Sequence, residues 1–258
     1  MGKFIAVCLV VAGSVGFAWA KSALNLVGNT VPTLISENGK PARLIELASA
    51  GFIYSKVNIT ATKPVWAGAG LRSNKFNGYI DHYSLDQPRI DYVYSQPYAN
   101  IQLYIASVDS SAKTIERLEQ VVDERIGIER RFANTDKLRV ERTVKWSRAD
   151  DFYHNILQIA EQRVSYILAD KVMLDEMNKL LAANGEEPLS ISVRPIFEVG
   201  ISIGLKTNVK NADKILSDFD NNIAKLIDSS EHSRIYFPKP GSPSLLDSAI
   251  YENVIRKW

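Results

Sequence analysis

One cysteine occurs in 258 residues, Cys8, and it lies inside an apolar run near the start of the chain. No disulfide can therefore form within the chain, and a hydrophobic core must hold the fold alone. Histidine is almost as scarce. His82, His154 and His232 are scattered, with no His-Glu-x-x-His and no paired metal spacing. Neither Gly-x-Ser-x-Gly nor a glycine-rich phosphate loop occurs. Charge of one sign is lacking too: 31 Lys and Arg stand against 29 Asp and Glu, a formal +2. That balance excludes the strong basic excess of a nucleic-acid binder. The absences argue against an enzyme, and they point to no cofactor and no metal.

The first twenty residues set the compartment. Lys3 supplies a positive start, and an apolar run from Phe4 to Val15 is broken only by Gly13 and Ser14. Ala18-Trp19-Ala20 then gives the small-x-small pattern of a signal-peptidase site. The run falls short of the roughly 20 residues a membrane span needs, and Lys21 follows at once. Residues 1–20 are thus expected to be a cleaved signal peptide and Lys21 the mature start, with the product in the periplasm. Cleavage removes Cys8. A mature chain of this length buries about 70–75% of its unfolded surface, enough to fold without cross-links.

Short β-rich runs alternate with amphipathic ones almost to the end. Strands are expected at 24–27, 52–60, 79–83, 101–107, 125–128, 143–146, 164–168, 189–196 and 201–205. Helices are expected at 42–50, closed by Gly51, and from Pro64 to near Asn77-Gly78. Others follow Ser110-Ser111, carrying Ile115, Leu118 and Val121, and Asp150-Asp151, carrying Phe152, Ile156, Leu157 and Ile159. The last two run over 171–182 and 211–227, the latter with Ile215, Phe219, Ile223 and Leu226 on one face. This alternation predicts mostly parallel sheets flanked by helices, as two α/β units with one split around the other. Such units bind ligands beyond the carboxyl ends of their strands.

Several segments carry a resemblance. They are Ala50-Gly51-Phe52, Pro64-Val65-Trp66, Asn77-Gly78-Tyr79-Ile80-Asp81 and Ser95-Gln96-Pro97-Tyr98, then Arg125-Ile126-Gly127-Ile128 and the run Gln162 to Asp170. In this order and spacing the chain resembles the extracellular solute-binding proteins of the polar amino-acid type, which feed ABC transporters. The resemblance implies an α/β clamshell of two lobes, each a mostly parallel sheet flanked by helices, joined by two crossing hinge strands. Residues 21–105 and 200–258 would form lobe 1 and residues 106–199 lobe 2. The implied partners are a small polar, amino-acid-like solute and an inner-membrane ABC permease or sensor. The protein would act as a monomer, without nucleic acid.

A free amino acid carries an ammonium and a carboxylate, and each costs several kcal/mol to bury unpaired. Asp170 lies where a buried strand meets a helix, the place where similar proteins hold the ligand ammonium; an aspartate there also serves as a helix N-cap. Arg89 is the candidate for the ligand carboxylate, because a planar fork suits two oxygens. The preceding Asp86-Gln87-Pro88 departs from the usual threonine, and Asp86 so close by points to a different ligand charge. Asn134 and Thr135 are expected to precede a helix whose free N–H groups could take an anion. Arg130-Arg131 before them is expected to be a solvated, charged turn. Trp66, Tyr83 and Tyr98 are candidate cleft walls, and Ser84 could present its hydroxyl. Three functions stay open at this point: a transport-linked receptor, a sensory binder presenting its closed form to a membrane receptor, and an enzyme on the same scaffold.

Overall fold

Strands and helices alternate through residues 23–36, 42–53 and 56–258, the parts of the chain that the computed structural model describes. The expected signal peptide, Cys8, Lys21 and Tyr54 lie outside those residues. In chain order the first elements are β1 (Leu24–Asn29), α1 (Arg43–Gly51), β2 (Val57–Thr62), α2 (Pro64–Arg72) and β3 (Gly78–Tyr83). Next come β4 (Tyr92–Tyr94), β5 (Ala99–Ser107), β6 (Arg125–Glu129), α3 (Arg130–Ala133), β7 (Lys145–Ala149) and α4 (Phe152–Ala160). The chain then forms β8 (Tyr166–Asp170), α5 (Lys171–Ala183), β9 (Ser190–Ile191) and β10 (Phe197–Lys206). It ends with α6 (Ala212–Asp228), α7 (Glu231–Tyr236) and α8 (Ser248–Ile255).

The strands hydrogen-bond in the order β2-β1-β3-β10-β5-β8-β6-β7, with β4 on β10 and β9 on β5. Two parallel sets, β2-β1-β3 and β8-β6-β7, are joined through two long antiparallel strands. β5 and β10 pair with each other over Ala99–Leu103 and Phe197–Ile201, then diverge. Beyond that crossing, β10 continues along β3, while β5 continues along β8. The result is two lobes joined by crossing strands, as the resemblance implies. β10 is buried without interruption from Val199 to Leu205, the pattern of a strand covered on both faces.

Each lobe builds its core from helix faces set by periodicity. In lobe 1, α6 buries Leu216, Phe219 and Ile223 at three- and four-residue spacing. Phe219 packs on Phe52 at 4.6 Å and edge-on to Tyr98 at 5.7 Å. In lobe 2, Phe152 and Ile156 of α4 meet Met173, Leu174 and Met177 of α5. Gly78 marks the closest backbone approach between β3 and β10: a Cβ there would lie 2.1 Å from the Gly204 carbonyl oxygen. Gly78→Ala is expected to cost about 3 kcal/mol, the upper end for overpacking, because backbone cannot rotate aside. Chemical denaturation checks this, and a loss below about 1 kcal/mol would show that the crossing strands can slide.

Three expectations need correction. Residues 110–121 form two short 3-10 turns, Ser110–Thr114 and Leu118–Val121, rather than one helix. The β-branched pair Thr114-Ile115 closes the first of them. The strand expected at 189–196 is reduced to Ser190–Ile191. Ser192 and Ile196 still donate to Ile105 and Leu103, but Pro195 between them has no N–H to give. Residues 239–258, expected with lobe 1, return to lobe 2. Tyr251 and Val254 of α8 join the α4–α5 core, and the chain before α8 is tied to α5. There Ser244 Oγ donates to the Glu176 carbonyl at 2.8 Å, and the Leu245 N–H donates to Glu176 Oε2 at 2.5 Å.

Candidate ligand site between the lobes

Strand ends dictate where polar side chains gather. β1 ends at Asn29, β3 at Tyr83, β6 at Glu129 and β8 at Asp170, and because β6 pairs with β8 the two acids emerge on neighbouring strands. Asp170 is 1% exposed. Its Oδ1 accepts from the Val172 N–H at 3.1 Å, capping α5. Its Oδ2 is sealed from solvent and has no hydrogen-bond donor among the described residues. Burial raises the Asp170 pKa, against the pull of the positive Arg131 and Arg43.

Those two guanidiniums come from opposite lobes. Arg131, on α3, donates twice to Glu129, from Nε to Oε2 at 2.9 Å and from Nη2 to Oε1 at 3.0 Å. Both partners are largely out of water, at 14% and 2% side-chain exposure. The Arg131 fork lies over the Phe132 ring at 4.1 Å, and Nη1 reaches across to the Tyr83 hydroxyl of lobe 1 at 3.4 Å. Burial works against this cation, but the Glu129 carboxylate outweighs it and holds the Arg131 pKa above its ordinary value. Arg43, at the start of α1, donates to the Tyr236 carbonyl at 2.8 Å and to Thr33 through its carbonyl and Oγ1 at 3.2 and 3.1 Å. Thr33 in turn bridges the lobes, its hydroxyl meeting Met173 Sδ of α5 at 3.3 Å.

Asp81 is buried within β3 of lobe 1, beside the end of β1. Its Oδ2 accepts both the backbone N–H and the side-chain amide of Asn29, at 2.9 and 2.8 Å. Burial pushes its pKa up to about 6, even though those donors pull the other way. A carboxyl that holds its proton more tightly when folded than its unfolded value of about 3.9 stabilises the fold below that value. The contribution is lost as pH rises through about 6. A rise of that size in pKa corresponds to about 3 kcal/mol. Asp81→Asn should therefore gain on wild type by that order between about pH 4 and 7, measured as the difference between urea midpoints. Parallel pH curves for the two proteins would show that burying this carboxyl carries no cost.

At the rim the lobes are clasped. Asp86 Oδ1 accepts the Asp136 N–H, Asp136 Oδ2 accepts the Gln87 N–H, and the Leu85 carbonyl accepts the Lys137 N–H, each at 3.0 Å.

No protein-family model matches the chain, and no curated protein matches it in sequence. Solved structures do match its shape. The ligand-binding core of GluR0, in complex with L-glutamate, superposes with a TM-score of 0.65 at 12% identity, covering 84% of this chain and 97% of that one. The amino-acid ABC transporter substrate-binding protein AbpA of Streptococcus pneumoniae, bound to L-arginine, gives 0.58 at 13%, over 90% and 95%. The ancestral amino-acid-binding protein AncCDT-1, a precursor of cyclohexadienyl dehydratase, gives 0.56 at 14%, over 83% and 93%. The fold is that of the two-lobed solute-binding proteins. Among the described residues, no helix is long and apolar enough to cross a membrane.

Within this binding-protein fold the sequence-derived candidates divide. Asp170 and Tyr83 lie at the interlobe site. Arg89 does not join them: its side chain is 59% exposed and bound through Nε and Nη2 to Asp91, at 3.1 and 2.8 Å. Asp86 belongs to the rim clasp. Ser84 locks the crossing strands, exchanging bonds with Gly200 at 2.8 and 2.9 Å. Tyr98 is core, its hydroxyl donating to the Ile80 carbonyl at 2.7 Å. Trp66 is 67% exposed on α2. Asn134 and Thr135 follow a helix rather than precede one. The four-residue α3 ends at Ala133, and Asn134 and Thr135 cap its carbonyls, so no free N–H groups face an anion there. Arg131, expected in a solvated turn, is instead half-buried and paired with Glu129. Arg43, Glu129, Asp81 and Thr33 were not among the candidates. Position signals two of them, since Glu129 ends a strand and Arg43 opens a helix, whereas Asp81 lies within β3 and Thr33 in the loop after β1.

Proposed function

We propose that the chain is a periplasmic receptor that closes its two lobes over a small amino-acid-like solute and hands it to an ABC-type permease. The observation that carries this is Asp170 Oδ2, a buried carboxylate oxygen without a donor among the described residues, which feels the positive charge of a guanidinium from each lobe. A ligand ammonium supplies the missing donors, and Arg131 and Arg43 offer the counter-charge for a ligand carboxylate. Contact from both lobes stabilises the closed form, which the rim clasp then completes. The GluR0 core and AbpA, both holding a free amino acid, support the ligand class.

The test is a thermal-shift screen of protein unfolded, dialysed and refolded to strip carried-over solute. A ligand at about 100 times its Kd adds about 2.7 kcal/mol. A shift with one amino-acid class supports the reading. If every amino acid fails while sugars or polyamines succeed, the site holds another solute and the assignment of Asp170 falls. A second reading, an enzyme on the same scaffold, is favoured by Asp81, a carboxyl whose pKa burial beside Asn29 pushes up to about 6. Chemical change in a bound ligand on incubation would establish that reading and displace the receptor.

A further inference from the structure

A recess of about 450 Å³ opens on lobe 1 and shares no lining residue with the interlobe site. Its walls are the last turn of α2, the approach to β4 and the end of β10, and its lining includes Arg72, Arg89, Lys206 and Asp91. Two of the three cations are fixed before any ligand arrives. Arg89 is locked by its two bonds to Asp91 and lies over the Tyr92 ring at 4.8 Å, leaving Nη1 unspent. Lys206 Nζ donates to the Leu71 carbonyl and, at 2.6 Å, to Asn74 Oδ1, which leaves one of its three protons free. Asn74 is held for this in a left-handed turn after α2, at φ 59. Among the described residues neither Arg72 nor Lys206 has an ion-pair partner. Three cations thus face one carboxylate, a surplus of two positive charges.

We propose that this recess binds a small soluble dianion through carboxylate or phosphate oxygens. Its volume falls within the range of about 300–1,000 Å³ of small-molecule pockets, and donors already held in place lose little freedom on binding. A flat protein partner would not fill it.

The experiment is calorimetric titration with inorganic phosphate and, separately, succinate, at constant ionic strength. Saturable one-to-one binding is expected, weakened at least tenfold in Arg72→Gln/Arg89→Gln and in Lys206→Gln, and unchanged in Asp170→Asn. The absence of saturable heat would overturn the proposal. So would equal binding by wild type and the recess variants, as would association only with phosphatidylglycerol vesicles. Because Asp170→Asn alters only the interlobe site, this test stands or falls apart from the receptor reading.

Discussion

Asp170→Asn is expected to weaken ligand binding by about 30-fold or more while leaving the fold intact. The amide keeps an oxygen to cap α5 through the Val172 N–H, so the helix loses little. What disappears is the charge that the proposed receptor sets opposite a ligand ammonium. Removing one partner of a buried, hydrogen-bonded charge pair costs about 2–5 kcal/mol, and each 1.4 kcal/mol or so is tenfold in affinity. Titration calorimetry with the amino acid found by the screen reads the change, and the thermal midpoint without ligand serves as the control. An affinity within threefold of wild type would mean that the ammonium lies elsewhere.

The second large effect is on stability. Glu129→Leu is expected to lose about 3–5 kcal/mol, because it strands the Arg131 guanidinium in a place water barely reaches. That is a large share of the roughly 5–15 kcal/mol by which a domain is stable. The double variant Glu129→Leu/Arg131→Met should recover most of the loss, since an apolar pair of similar volume carries no desolvation cost. Urea denaturation of the four proteins closes the cycle. If the single variant loses less than about 1 kcal/mol, Arg131 has turned to the unmet oxygen of Asp170 instead. Such a swing would make Arg131 a movable group in the cleft rather than a fixed wall.

How far the sequence reveals this site depends on the range of the interactions that build it. Asp170 is legible because a buried apolar run followed by an amphipathic helix announces a strand end and a cap within a few residues. Arg131 is not. Glu129-Arg130-Arg131 reads as an ordinary charged turn, and only the pairing of β6 with β8, some forty residues away, places Glu129 beside Asp170. Arg43 is hidden for the same reason, since the carbonyl that holds it belongs to Tyr236. Arg89 fails locally: Asp91, two residues on, holds its fork at the surface of lobe 1, apart from the interlobe site. The order of the longer strands and helices follows from periodicity, whereas β4, α3 and the 3-10 turns are too short to show a period. The return of α8 to lobe 2 leaves no local trace at all.

That return has a consequence for how the protein is made. The sheet of lobe 1 is complete only when β10 has been synthesised, after every strand of the lobe 2 sheet. Lobe 2 in turn lacks Tyr251 and Val254 until the end of α8. Domains ordinarily fold as units while the ribosome is still working, N-terminal part first. Here each lobe includes a segment made after most of the other, so neither core is complete on a partial chain. The full set of core contacts in both lobes is therefore available only once residue 254 has been made.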